Sequence, residues 1–190
     1  MKKTLAALLF ISASVFGQDV SSGSFKKLKD ITEYNLVFDY AGLKVDKFRS
    51  ESDFLADKMK KREEKGTSED FKTSWFNDRQ KRYEPKFIES FNKRFDGRVK
   101  ADKDLASAKY TMKVKTTWIH PGYNVGVSRS DAKINATITV FETANPSNIL
   151  LEVSYEKMHG DGAFGYDFDS GYRISEAYAK LAKEFARDIK

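Results

Sequence analysis

Two stretches in the second half of the chain alternate strictly between apolar and polar residues, and this constrains the fold more than any other feature. Tyr110, Met112, Val114, Thr116 and Trp118 alternate with Thr111, Lys113, Lys115 and Thr117. Ala132, Ile134, Ala136, Ile138 and Val140 alternate with Lys133, Asn135, Thr137 and Thr139. A period of two places successive side chains on opposite faces of a pleated strand, so each stretch predicts a strand with one buried and one wet face. Asn145-Pro146-Ser147-Asn148 is a turn signal that joins the second strand to a third over residues 149–158. An earlier strand is expected over residues 34–40, with an extension to Val45 past Gly42 as the alternative; Leu36, Val37 and Phe38 run consecutively and read as buried on both faces.

The first half carries a helical period instead. Ser50 with Asp53 resembles a capping box, and Gly66 suits the position just past a helix end. Thr67 with Asp70 repeats the start signal. Phe71, Trp75, Phe76, Tyr83, Phe87, Ile88, Phe91 and Phe95 then recur mostly at spacings of three and four. Pro85 interrupts this run and predicts either a kink near Tyr83 or a fresh helix start. The last element is an amphipathic helix with Ile174, Ala177, Tyr178, Leu181, Ala182, Phe185 and Ile189 on one stripe, capped by Asp169 or Ser170. The order is β-α-α-β-β-β-α. It predicts an α+β fold: a two-layer sandwich with a mainly antiparallel sheet of four strands and the helices on one face.

The N-terminus reads as an export signal. Lys2 and Lys3 precede an uncharged apolar run over residues 5–16, and Val15 and Gly17 occupy the −3 and −1 positions of a cleavage site before Gln18. The run is shorter than the roughly 20 residues a spanning helix needs, and no later segment approaches that length. The expected organisation is a signal peptide over 1–17, a flexible Ser/Gly-rich leader over 18–33 and one domain over 34–190. The chain has no cysteine. That excludes a lipid anchor on a signal-peptide cysteine, disulfides, and thiolate nucleophiles or metal ligands. The expected protein is therefore exported, periplasmic or secreted, soluble, and not lipid-anchored.

Cleavage would remove two lysines and leave 32 basic and 28 acidic side chains, a mild excess that does not imply nucleic acid. The distribution says more: residues 79–100 carry eight basic and three acidic side chains, and 151–169 carry five acidic and one basic. Aromatics lie at core spacing among Arg79, Lys81, Arg82, Lys86, Lys93 and Arg94, as on any buried amphipathic helix. This basic face is expected to meet an acidic partner, or the chain's own acidic loop, and not nucleic acid.

The residues able to carry chemistry are few. His120 and His159 both end strands. With Asp161, Asp167 and Asp169 they offer ligand types for a divalent metal or an acid-base pair, without a recognised metal-binding spacing. The segment 160–171 has four glycines and three aspartates ahead of a helix. It fails the EF-hand pattern, because Gly171 is fifth from Asp167 and Tyr178 stands where the bidentate acid belongs. Three aspartates also disfavour a phosphate. A glycine loop whose last acid caps the helix is the expected role. Tyr123 sits in a second glycine-bearing loop and could stack on a ligand. There is no GxSxG elbow, so serine hydrolase chemistry has no sequence support. The ligand-binding candidates are His120, Tyr123, His159, Asp161, Asp167 and Asp169. No catalytic residue, metal or cofactor is assigned.

The chain's end, Gly160-Asp161-Gly162, then Gly171-Tyr172-Arg173-Ile174, then Ala177-Tyr178-Ala179-Lys180-Leu181-Ala182, resembles small exported envelope proteins grouped with curli-assembly and TolB N-terminal-like domains. The signal ending Phe16-Gly17-Gln18 resembles exported proteins of Bacteroidetes-type bacteria. The resemblance covers the element order over 34–190, and its specific part is about thirty residues. The lipobox cysteine that many such proteins carry is missing here. The resemblance implies a bacterial envelope protein, usually non-enzymatic and often an assembly or accessory component, and it carries no catalytic residue across. The leading expectation is a non-catalytic binding module acting through contacts with another envelope protein. The rivals are a hydrolase or metal-dependent enzyme built on His120, His159 and the 161–169 aspartates, and a glycan-binding module using Tyr123, Phe164 and Tyr166.

Overall fold

A computed structural model describes residues 18–125, 127–160 and 169–190. The signal segment 1–17, Asp161, Asp167, Phe164 and Tyr166 lie outside the described residues. The chain is α+β, with a mixed seven-stranded sheet. The strands are β1 (Gln18–Gly23), β2 (Glu33–Asp39), β3 (Lys44–Val45), β4 (Lys100–Asp102), β5 (Tyr110–His120), β8 (Ala132–Glu142) and β9 (Asn145–Gly160). A separate hairpin is made by β6 (Tyr123–Asn124) and β7 (Arg129–Ser130). Among the described residues no helix is long and apolar enough to cross a membrane.

The sheet runs β1-β9-β8-β5-β2-β4, with β3 also against β5. β5, β8, β9 and β1 pair antiparallel, as the alternating stretches predict. The four-stranded, mainly antiparallel expectation is corrected in detail, because β2 pairs parallel with both β4 and β5, and β3 pairs parallel with β5. The two residues of β3 fall on the alternative extension to Val45, as a separate strand past the turn at Gly42, and the missed β4 is three residues long, too short to show a hydrophobic period. β1 falls in the expected flexible leader, and all six of its residues are exposed. It is held to β9 through its backbone, so its sequence has no apolar face to read. The leader also buries Leu28 completely. In β2, Val37 is 41% exposed between buried Leu36 and half-buried Phe38, so that strand has one open face, not two covered ones.

Two β-bulges matter for the site. Thr116 pairs with Ala136 and Trp118 with Asn135, so Thr117 is an extra residue in β5. An extra residue inverts the phase of everything after it. Ile119 is buried, and Trp118 leaves the core-facing set the alternation assigns it, joining His120 on the other face. Opposite, β9 is bulged at Glu156 and Lys157, where Lys157 has φ +52° and its N–H donates to Asn135 Oδ1 at 2.8 Å. The β8–β9 turn is at Thr143 and Ala144, two residues ahead of the expected one.

Of the helices α1 (Glu51–Lys60), α2 (Ser68–Asp78), α3 (Glu84–Lys93) and α4 (Ser170–Ile189), α4 packs on β8 and β9, α3 on α4 and β4, and α1 on β3 and α2. Ser50 caps α1 by accepting from the Asp53 N–H at 3.1 Å. Pro85 stands in the first turn of α3, the fresh helix start that was one of the two expectations. A π-turn over Arg79–Tyr83 joins α2 to α3, with the Glu84 N–H bonding back to the Arg79 carbonyl. The wider turn absorbs the hydrogen bond that proline cannot make.

Helices α3 and α4 run side by side in the same direction. Tyr83 stacks on Tyr178 with centroids 5.3 Å apart, Phe91 meets Phe185 at 6.1 Å, and Lys86 bonds Glu176 at 2.9 Å. The whole predicted stripe of α4 is buried. A polar chain crosses this apolar layer: Tyr178 and Thr116 share a hydrogen bond of 2.5 Å, and Tyr40 donates to Glu84, which also takes Lys103 at 2.6 Å. Burial pushes the Tyr178 and Tyr40 phenols well above their usual titration range.

Candidate functional site

The site grows from the end of β5. Past His120 the chain turns through Pro121 and Gly122 into the β6–β7 hairpin, which is separate from the main sheet. Gly122 has φ +67°, and a Cβ there would stand 2.3 Å from the Ser130 carbonyl, so only glycine lets the hairpin base close this tightly. Arg173 holds that base. It is 3% exposed, and its guanidinium donates to the carbonyls of Pro121 at 3.2 Å and Gly122 at 3.3 Å. The hairpin presents apolar surface: Tyr123 is 47% exposed, Val125 64% and Val127 100%.

Between this base, α1, α2 and the start of α4 lies a cleft of about 440 Å³, within the general range for ligand sites. Aromatics Phe54, Phe71, Trp75 and Tyr123 and cations Lys58, Lys61, Arg62 and Arg173 line it. The Arg62 guanidinium lies 4.2 Å from the Phe71 ring centre and donates to the Lys58 carbonyl at 3.0 Å. Lys61 bonds Asp57 at 2.9 Å; that bond, outweighing desolvation, holds the Asp57 carboxyl below its usual range. The Trp75 indole N–H donates to Glu51 at 2.6 Å, and Arg79 bonds the same oxygen.

Of the sequence candidates, His120 and Tyr123 line this cleft. The imidazole of His120 is engaged at both nitrogens: Nδ1 is 3.0 Å from Asp46 Oδ1 and Nε2 is 3.2 Å from Ser130 Oγ. Asp169 lies in the adjoining cleft that shares Arg62, Phe71, Trp75 and Ser170. It caps α4 by accepting from the Gly171 N–H at 2.9 Å, and it pairs with Arg82. Burial raises its carboxyl, but Arg82 and the amides of Gly171 and Tyr172 outweigh this and leave it below the ordinary range. Neighbouring Asp78 is pushed the other way, chiefly by burial. The Arg82–Asp169 pair is the expected meeting of the basic helical region with the chain's own acidic segment.

His159 does not join His120. Both stand opposite Lys133, one on each side of β8, so a whole strand separates them. Among the described residues no group of three or more acidic or histidine side chains is placed to hold a metal. Sequence reasoning missed Asp46, Ser130 and the α1–α2 wall. Asp46 is 74 residues from His120, and no spacing rule links them. Arg173 was visible only through the resemblance.

No family model matches the chain, and no curated protein sequence matches it. Two solved chains match, one of them from the PelC dodecamer of Paraburkholderia phytofirmans, at 8% identity and a TM-score of 0.35 over 86% of this chain and 96% of that one. A likeness at that level carries no argument about function.

Proposed function

We propose that this chain is an exported bacterial envelope protein that works by binding another protein, and that the cleft with its hairpin is the contact surface. The observation that carries the reading is the lining of that cleft: four cations and four aromatics below a hairpin that exposes Tyr123, Val125 and Val127. Apolar anchors beside a cluster of cationic side chains favour an acidic partner segment with aromatic or aliphatic side chains. The sequence resemblance to envelope assembly and accessory proteins supports the same reading, and the N-terminal segment supports export with cleavage after Gly17.

A benzophenone amino acid in place of Val125, compared with one in place of Val37 on the open sheet face, tests this in the native envelope. The reading expects one discrete crosslinked adduct from position 125 and none from 37, lost when Lys58→Glu and Arg62→Glu reverse the cleft charge. No adduct from 125, or one indifferent to charge reversal, overturns it. The recovered protein should begin at Gln18.

A further inference from the structure

Beyond binding, the geometry points to a reactive serine. We infer that Asp46, His120 and Ser130 form a proton relay that makes Ser130 a nucleophile toward carboxylic esters, giving the chain an acyl-ester hydrolase activity at the cleft rim.

Three side chains stand in sequence. Asp46 Oδ1 stands 3.0 Å from Nδ1 of His120, and Nε2 stands 3.2 Å from Ser130 Oγ. With the carboxylate accepting from Nδ1–H, the tautomer is fixed and Nε2 is left with a lone pair facing the serine hydroxyl. Both distances lie at hydrogen-bond reach for a base and its orienting acid.

The relay is also built. Asp46 has φ +52°, a conformation uncommon for a residue with a side chain. Two clamps hold it there, and both come from the neighbours of His120. The Asp46 N–H donates to the Ile119 carbonyl at 2.7 Å, and the Trp118 indole N–H donates to the Asp46 carbonyl at 2.9 Å. The Trp118 ring meanwhile stacks on the imidazole, 6.0 Å away and 11° from parallel. Trp118 can do both only because the bulge at Thr117 turns it onto the face of His120. Strain held by its surroundings and a bulge beside polar side chains both recur at catalytic sites. Ser130 is placed by register, opposite Tyr123 in the hairpin whose base Arg173 fixes.

The chemistry balances with water as the co-reactant. Ser130 Oγ bonds to the carbonyl carbon of the ester while His120 Nε2 takes its proton, and the carbonyl π-electron pair moves onto oxygen. The tetrahedral adduct collapses, the C–O bond to the alcohol breaks, and His120 returns the proton to the departing alkoxide. Water then attacks the acyl-serine, with Nε2 taking its proton and passing it to Ser130 Oγ, which releases the carboxylic acid. Lys58 and Arg62 in the adjoining cleft favour negative charge, so esters carrying an anionic group should be preferred. Ser130 and His120 are the catalytic residues; Asp46 and Trp118 act through His120 as positioning residues.

The test uses the mature full chain with an alkyl fluorophosphonate, which phosphonylates activated serines, and peptide mass spectrometry. Labelling should fall on Ser130 and spare Ser128, an exposed serine in the same hairpin that serves as an internal control. His120→Gln should slow labelling at least about 100-fold. Asp46→Asn should lower kcat for p-nitrophenyl acetate with little change in KM, and should shift the ¹⁵N signature of the His120 ring away from the Nδ1–H tautomer. Equal labelling of Ser128 and Ser130, no labelling of Ser130 in the folded parent, or an unchanged rate in His120→Gln each overturns the inference. The serine comparison needs no variant, so it stands even if a substitution disturbs folding.

Discussion

Replacing Phe185 by alanine tests whether α4 is the keel of the domain. Phe185 is fully buried, and its ring meets Phe25 at 6.2 Å, Phe91 at 6.1 Å and Tyr155 at 6.4 Å. These partners come from a 3₁₀ turn at Phe25–Leu28, α3 and β9, so one side chain ties three parts of the fold together. Truncating a buried phenylalanine typically costs about 3–5 kcal/mol, the transfer term plus the cavity left behind. Three lost aromatic contacts place this site at the upper end, about 4–5 kcal/mol. For a domain of this size that lowers Tm by roughly 8–20 °C. Lys180→Ala is the control. Its head group bonds Glu184 at 2.9 Å one helical turn on and is 40% exposed, so its loss should stay within about 0.5 kcal/mol. Urea melts of both variants beside the parent measure this. If Phe185→Ala melted within about 1 kcal/mol of the parent, α4 would not be a core element and the packing argument would fail.

Other perturbations have distinct signatures. In Gly23→Ala the new Cβ would lie 1.9 Å from the Leu150 carbonyl oxygen at φ +72°; more than about 1 kcal/mol should be lost, with amide exchange rising across β1 before the rest of the sheet. Tyr178→Phe strands Thr116 in the core and should cost about 1–3 kcal/mol in urea melts; in Thr116→Val, the same change should cost less. Asp169→Ala removes the α4 cap and should cost about 0.5–2 kcal/mol at neutral pH. Because the folded-state titration of Asp169 is depressed, its contribution is present above the ordinary carboxylate range and lost as pH falls through the folded value. Parent and variant melting curves should therefore converge in acid.

Elements with a long covered face were legible in the sequence. β5, β8, β9 and α4 each bury one side against the other layer, and that asymmetry writes the period into the residues. β1 was illegible because neither of its faces is covered, and β4 because it is too short. Trp118 was misplaced by a single extra residue, which no local pattern marks in advance. The site was half legible: His120 and Tyr123 stand out as residue types at a strand end, whereas Asp46 and Ser130 reach His120 only through the β3–β5 pairing and the hairpin register. Arg62, Lys58 and Trp75 read as ordinary amphipathic helix residues, and only the packing of α1 and α2 beside the β5 exit turns them into a wall.

The central claim is that the cleft beside Tyr123 receives an acidic, aromatic segment of a partner. Titrating a synthetic peptide of alternating glutamate and tyrosine into ¹⁵N-labelled mature protein tests it most directly. The account predicts saturable amide shifts at Phe71, Trp75, Arg62, Gly122 and Tyr123, reduced by added salt and abolished by Arg62→Glu with Lys58→Glu. Lys113 and Thr137 on the open sheet face should not move. Shifts centred on that open face or on the α3–α4 surface, or a response unchanged by the charge reversal, would contradict it.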